Sequence, residues 1–168
     1  MLIQELADGI THCLTQQPGS AGLRQACEWV AKAVNDEEFT LRYLADRAKG
    51  EPIREMLYHH PQLDYCICGQ VYGVPNKAGP HDHGHTWAIY GQVTGDTVMT
   101  DWTRVDPDSQ TVPIPVVPVS TYTLKPGDAH LYDVGDIHSP LCDTPVKLIR
   151  IEGSNLEHVT RQPYIAQQ

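Results

Sequence analysis

Basic residues are scarce in this chain: 12 lysines and arginines stand against 21 aspartates and glutamates, a formal charge of -9 over 168 residues. That balance repels phosphate backbones and anionic lipid surfaces, so neither nucleic acid nor a membrane is expected as a partner. Long apolar runs are missing too, and no stretch approaches the roughly 18 residues of a bilayer-spanning helix. The opening residues, MLIQELADGITHCLTQQ, hold no basic segment followed by an apolar one, which makes a soluble cytoplasmic protein the expectation. No Cys-x-x-Cys pair occurs among Cys13, Cys27, Cys66, Cys68 and Cys142, and their number is odd. A disulfide framework is thereby excluded in favour of reduced thiols, in a chain long enough to bury a core without staples. A metal in such a chain would serve chemistry.

What is present divides the chain in two. Leu2, Ile3, Leu6, Ile10 and Leu14 recur at helical spacing before the breaker Gln17-Pro18-Gly19-Ser20, predicting a first helix over 2–16. A second is expected over Gly22 to Val34, with Leu23, Cys27, Val30 and Ala31 on one face. Asn35-Asp36-Glu37-Glu38 reads as a cap and acidic first turn for a third helix, to about Lys49. From Pro52 onward, short apolar or alternating runs separated by turn residues predict strands over 64–72, 86–93, 97–105, 116–124, 129–132 and 146–152. Six short strands at this spacing suggest a sandwich or barrel.

Three histidines fall within Pro80-His81-Asp82-His83-Gly84-His85. Residues two apart on an extended chain share a side, so His81 and His83 can grip one ion. Imidazole suits iron, copper, nickel or zinc, and two ligands from one segment need another from elsewhere. His138 is the best supplier, since it closes a turn, strand, turn and strand start from Gly127 to Gly135-Asp136-Ile137-His138. His85 shares the parity of His81 and His83, but a bend at Gly84 would turn it to the surface or behind the ligands. His130 reads as a barrel-wall or surface histidine.

These segments resemble a known family. Gly79 to Gly95 is similar to the first motif of the cupin superfamily, a glycine, then His-x-His, then a late glycine. Gly127 to His138 is similar to the second, with Asp133 where proline is usual. The resemblance covers roughly Asp64 to Gly153. It implies a mainly β fold, the cupin double-stranded β-helix or jelly-roll barrel, in a single domain over 1–168, with a helical segment over 1–50 and the barrel over 60–155. It also implies His81, His83 and His138 as metal ligands. The usual glutamate ligand falls at Ala88, which cannot ligate, and a neutral three-histidine site remains. With the His-Asp-His triplet and the N-terminal helices, that site resembles the thiol dioxygenases, the cysteine dioxygenase relatives that bring a thiol and dioxygen together on ferrous iron. Where that family carries Ser-x-His-x-Tyr, this chain has Leu148, Arg150 and Glu152, and the family's thioether cysteine is Ala88 here. The resemblance therefore implies metal-dependent oxygen chemistry on a small thiol or related anionic metabolite, rather than cysteine in particular.

Ferrous iron is the expected metal, with zinc, nickel, manganese and copper as alternatives, and a small-molecule substrate and dioxygen are the expected partners. A homodimer through edge strands is common in such barrels. Arg150, and Arg54 near the family's carboxylate-binding arginine, are the candidates to pair with a substrate carboxylate. The parity of Ala88 places Tyr90 and Gln92 on the metal-facing side as candidate catalytic groups. Against this, Arg150 and Glu152 would pair with each other on an outer face while Ile149 and Ile151 fill the core. Cys66 and Cys68 read as buried small residues, and Trp87, Tyr90 and Trp102 as barrel packing. Two other functions fit the same motifs: a redox-neutral lyase or isomerase using the metal as Lewis acid, and a non-catalytic metal- or small-molecule-binding cupin.

Overall fold

The computed structural model describes residues 1–44 and 53–167. Three helices come first: α1 (Ile3–Gln16), α2 (Ser20–Val34) and α3 (Glu37–Leu44). The first two form where the apolar spacing predicts them, α2 starting two residues early at Ser20, and the third where the cap and acidic turn predict it. In α1, Leu6, Ala7, Ile10 and Cys13 lie on the buried face, and Pro18-Gly19 separates it from α2. The Asp36 carboxylate accepts the Phe39 N–H at 3.0 Å and starts α3, with Glu37 and Glu38 in its first turn. The remainder of the third predicted helix, 45–49, lies outside the described residues.

Ten strands follow: β1 (Ile53–His59), β2 (Cys66–Tyr72), β3 (Asn76–Lys77), β4 (Ala88–Thr94), β5 (Thr97–Arg104), β6 (Ile114–Leu124), β7 (Ala129–Tyr132), β8 (Ile137–Cys142), β9 (Val146–Glu152) and β10 (Tyr164–Ala166). They form two five-stranded sheets, β1-β2-β9-β4-β7 and β10-β6-β5-β8-β3. All pairings are antiparallel except β10 on β6. The two curled sheets face each other as a mainly β jelly-roll barrel, with the helices on the outside of the first sheet. All six predicted strands are present. Strands β1 and β10 extend the barrel beyond the predicted 60–155, and β8, foreseen only at its start, continues through Pro140.

Alternation along the first sheet separates two interiors. Outward, Ile67, Ile89, Ile149 and Ile151 are fully buried against Leu6, Ile10, Val30 and Phe39 of the helices. Each such isoleucine contributes about 1.5–3 kcal/mol by leaving water. Here α2 runs so close to β4 that a Cβ on Gly91 would stand 2.6 Å from Val30 Cγ1, which is why that position carries no side chain. Inward, Ala88, Tyr90 and Tyr132 meet Met99 and Leu124 of the second sheet, and Val146 and Leu148 pack with Cys142 and Tyr72; between these two small clusters the inner face carries Gln70, Gln92, Arg150 and Glu152. Strand β9 lies between β2 and β4, so Arg150 stands opposite Cys68 on one side and Tyr90 on the other.

Candidate metal centre

The segment before β4 runs beside β8. His81 and His138 form an antiparallel bridge, the His81 N–H donating to the His138 carbonyl at 3.0 Å and the His138 N–H to the His81 carbonyl at 2.9 Å. Two residues on, His83 turns onto the same side. The three imidazoles converge: one nitrogen from each of His81, His83 and His138 lies within 4.8 Å of the others. His83 is 1% exposed and His138 fully buried.

Neighbours decide which nitrogens face inward. His81 Nδ1–H donates to the Gly79 carbonyl at 2.9 Å, and His138 Nδ1–H to the Asp136 carbonyl at 3.2 Å, leaving Nε2 of each ring as a bare acceptor. His83 Nε2 lies 3.2 Å from the Tyr90 hydroxyl, and its Nδ1 has no partner. His83 Nδ1 and His138 Nε2 are the buried side-chain atoms without a hydrogen bond among the described residues. A buried polar atom left unpaired costs about 1–3 kcal/mol, and two of them aimed at one point are what a bound cation would satisfy. Burial, first of all, pushes the pKa of all three imidazoles down, and the Arg161 guanidinium pushes each the same way; neighbouring imidazoles add to this at His83 and His138, and Arg150 at His81 and His83. They are therefore neutral, the form that ligates. These residues fit a divalent metal held on three nitrogens.

No carboxylate joins them. Ala88 is fully buried at the position facing Tyr132 and Glu152. Glu152 is itself buried, but its oxygens are taken: Oε1 accepts from Arg54 Nε at 3.1 Å and Arg150 Nε at 2.8 Å, and Oε2 accepts from Arg54 Nη2 at 2.6 Å and the Leu156 N–H at 2.9 Å. Burial alone would raise its pKa, and the two arginines together with the Leu156 N–H more than reverse this, holding it below the usual carboxylate value.

A cavity of about 430 Å³ opens on the site, lined by His81, Tyr90, Gln92, Gln70, Arg150 and Arg161 among others. Arg150 and Glu152 do pair, as the bland reading had it, but on the inner face of the barrel; the outer face belongs to Ile149 and Ile151. Gln70, oriented by its neighbours, presents its carbonyl oxygen to Arg150 Nη2 at 2.7 Å and donates to the Tyr72 hydroxyl at 3.0 Å. Arg54 does not line this cavity. Its guanidinium is bound by Glu152, by Glu157 at 3.1 Å and by Asn155 at 2.9 Å, which removes it from the place expected of a substrate-binding group. Gln92 lines the wall, yet its amide is used internally: Nε2 donates to the Thr94 and Gly95 carbonyls and Oε1 accepts from Thr97.

His85 is turned away by Gly84, whose φ is +63°, and lines a separate surface pocket with His59, Asp64 and His158. His130 sits behind the site, 3.1 Å from the Tyr122 hydroxyl, which also lies 2.8 Å from that of Tyr132. The Tyr132 ring in turn stacks on His138 at 3.9 Å and fixes that ligand's plane. Sequence reasoning missed the Tyr132 backing, Gln70, Arg161 and Tyr164. Tyr164 reaches between two of the histidines, its hydroxyl donating to Asp82 at 2.6 Å.

No protein-family model and no curated protein matches the sequence. Solved structures do. A cupin superfamily protein from Desulfitobacterium hafniense aligns over 63% of this chain and 80% of its own, at 13% identity and a TM-score of 0.45. A protein with a double-stranded β-helix domain from Klebsiella pneumoniae aligns over 73% and 86%, at 14% identity and a TM-score of 0.48. The protein KdgF from Halomonas aligns over 64% and 83%, at 17% identity and a TM-score of 0.46. Likeness at this level says nothing of activity.

Proposed function

We propose that the protein is a mononuclear non-heme iron dioxygenase of the thiol-dioxygenase type, acting on a small thiol or related anionic metabolite. The observation that carries this reading is the donor set: three neutral imidazoles, two buried and that of His81 half-buried, with no carboxylate among the described residues, beside a cavity of about 430 Å³. Held on three neutral ligands, a divalent ion would keep its full charge and offer open positions to an anionic thiolate and to dioxygen, while the electrons that reduce dioxygen would come from the thiol sulfur as it is oxidised to the sulfinate.

The protein's own groups do the rest. The carbonyls of Gly79 and Asp136 hold two imidazoles in the tautomer that points Nε2 inward. The Tyr90 hydroxyl, beside His83 at the cavity wall, offers a donor to substrate or oxygen. Arg150, held in place by Glu152 and Gln70, lines that wall as a fixed group beneath the Tyr90 ring and fixes the shape of the cavity beside the histidines. Met99, Leu124 and Tyr132 close the region behind the site against water.

Anaerobic reconstitution with ferrous iron, followed by a screen of small thiols in an oxygen electrode, tests the reading. Oxygen uptake matched one to one by thiol oxidised to its sulfinate is expected. No uptake with any thiol rejects it, and turnover of a substrate with zinc or nickel in the absence of dioxygen would place the site among Lewis-acid catalysts instead.

A further inference from the structure

Arg161 is the cation of the cavity whose charge is not spent. Arg150 is committed to Glu152 and Gln70, and Arg54 to Glu152, Glu157 and Asn155. Arg161 has no hydrogen bond or ion pair among the described residues, and it lines the cavity with His81 and Tyr90 from an exposed position at the mouth. In a chain of net charge -9, an unpaired guanidinium at an opening is where an anion is drawn.

The backbone carrying it is tied down on both sides. Before it, Val159 and Thr160 press on Gly84, the residue after His83; a Cβ there would stand 2.6 Å from Val159 Cγ1 and 2.7 Å from the Thr160 carbonyl oxygen. After it, Gln162 accepts from Arg104 at 2.9 Å, the Pro163 carbonyl accepts from the Ile114 N–H at 2.8 Å, and β10 pairs with β6. Tyr164 then donates to Asp82, between His81 and His83. One strap, residues 159–166, thus presents a free cation to the cavity and grips the loop that holds two ligands.

We infer that Arg161 captures the anionic group of the cavity's ligand, and that the strap couples this capture to metal binding, so that each strengthens the other. This rests on the metal-site reading above. The ligand is a small anion-bearing molecule whose charged end sits at the mouth while its donor atom reaches the histidines. Tyr164 and Asp82 are positioning residues, acting through the loop. Because coupling between two binding sites is reciprocal, an anion at Arg161 must raise metal affinity as a metal raises anion affinity.

The test is cobalt(II) affinity, measured by chelator competition on the full chain, in sodium sulfate against sodium chloride at equal ionic strength. Sulfate is expected to tighten cobalt binding several-fold in the wild type and to have no effect on Arg161→Gln, whose exposed side chain leaves folding unchanged. Tyr164→Phe is expected to weaken cobalt binding about ten-fold, the scale on which partners behind metal ligands act, with an unchanged circular dichroism spectrum. An equal sulfate response in wild type and Arg161→Gln, or none in the wild type, overturns the inference and leaves the metal site standing. A wild type that binds no cobalt overturns both.

Discussion

The two faces of β9 differ in what they are for. Ile149 and Ile151 point outward and are sealed under the helices, while Arg150 and Glu152, the alternate residues, point into the barrel and hold one another among Arg54, Gln70 and Cys68. In most small barrels the interior is the core. Here much of the apolar burial has moved to the outside of the first sheet, and the interior is free to carry charge, hydrogen-bonding groups and three unprotonated histidines. Stability and chemistry are thereby written on opposite sides of the same strands, which lets each be perturbed with little effect on the other.

The sharpest way to break that separation is at the ligands. His138→Ala is expected to abolish metal binding, read as metal per chain by elemental analysis, with a fold intact by circular dichroism; retention of a stoichiometric metal would show that the three-histidine site is not the metal's. Next in size, Glu152→Ala leaves two arginines without their shared carboxylate and should cost about 3–5 kcal/mol, the scale for breaking a buried ion pair. Urea unfolding measures it, and a loss under 1 kcal/mol would mean water already compensates that charge. On the outer face, Ile151→Ala should cost about 2–5 kcal/mol while leaving metal stoichiometry at the wild-type value. A parallel loss of metal there would refute the division of labour between faces.

Acid probes the same network more gently. Glu152 has a folded-state pKa below its unfolded value, so its ionised form contributes stability above the usual carboxylate range, and that contribution is lost as pH falls through the folded value. The urea midpoint should therefore decline on acidification, and Glu152→Gln should flatten that decline; an identical acid limb in the variant would assign it to other carboxylates. Smallest of all, Asp36→Ala removes the cap on the Phe39 N–H and should cost about 1 kcal/mol with no change in metal affinity.

Much of this was legible beforehand, and the misses have identifiable causes. The six strands with alternating or β-branched runs stand where periodicity placed them. Strand β8 runs on through Pro140, a residue that argues against a strand unless its neighbour can spare the missing donor, so no local pattern marks its course. Strands β3 and β10 are too short for any period to register. The histidine spacing pointed to the ligands because two-residue parity is a local property of extended chain. Arg54 was misplaced for the opposite reason: nearness in sequence to a motif does not tell which carboxylate a long, flexible guanidinium will find.

By itself the sequence determined the division into helices and barrel and pointed to His81 and His83 with His138 as their partner, which depend on local period, spacing and residue chemistry; that Ala88 stands where a fourth, anionic ligand is usual came only from the family resemblance. Only the tertiary structure decided which side of β9 faces the site, that Glu152 is consumed by two arginines, and that residues 159–166 return to lay Arg161 at the mouth and Tyr164 on Asp82. Alternation says that Ile149 and Arg150 oppose each other, but which of them faces inward depends on where the helices pack. That is settled by contacts between segments some 80 to 100 residues apart, such as Tyr164 with Asp82 and Arg54 with Glu152, which no local pattern records.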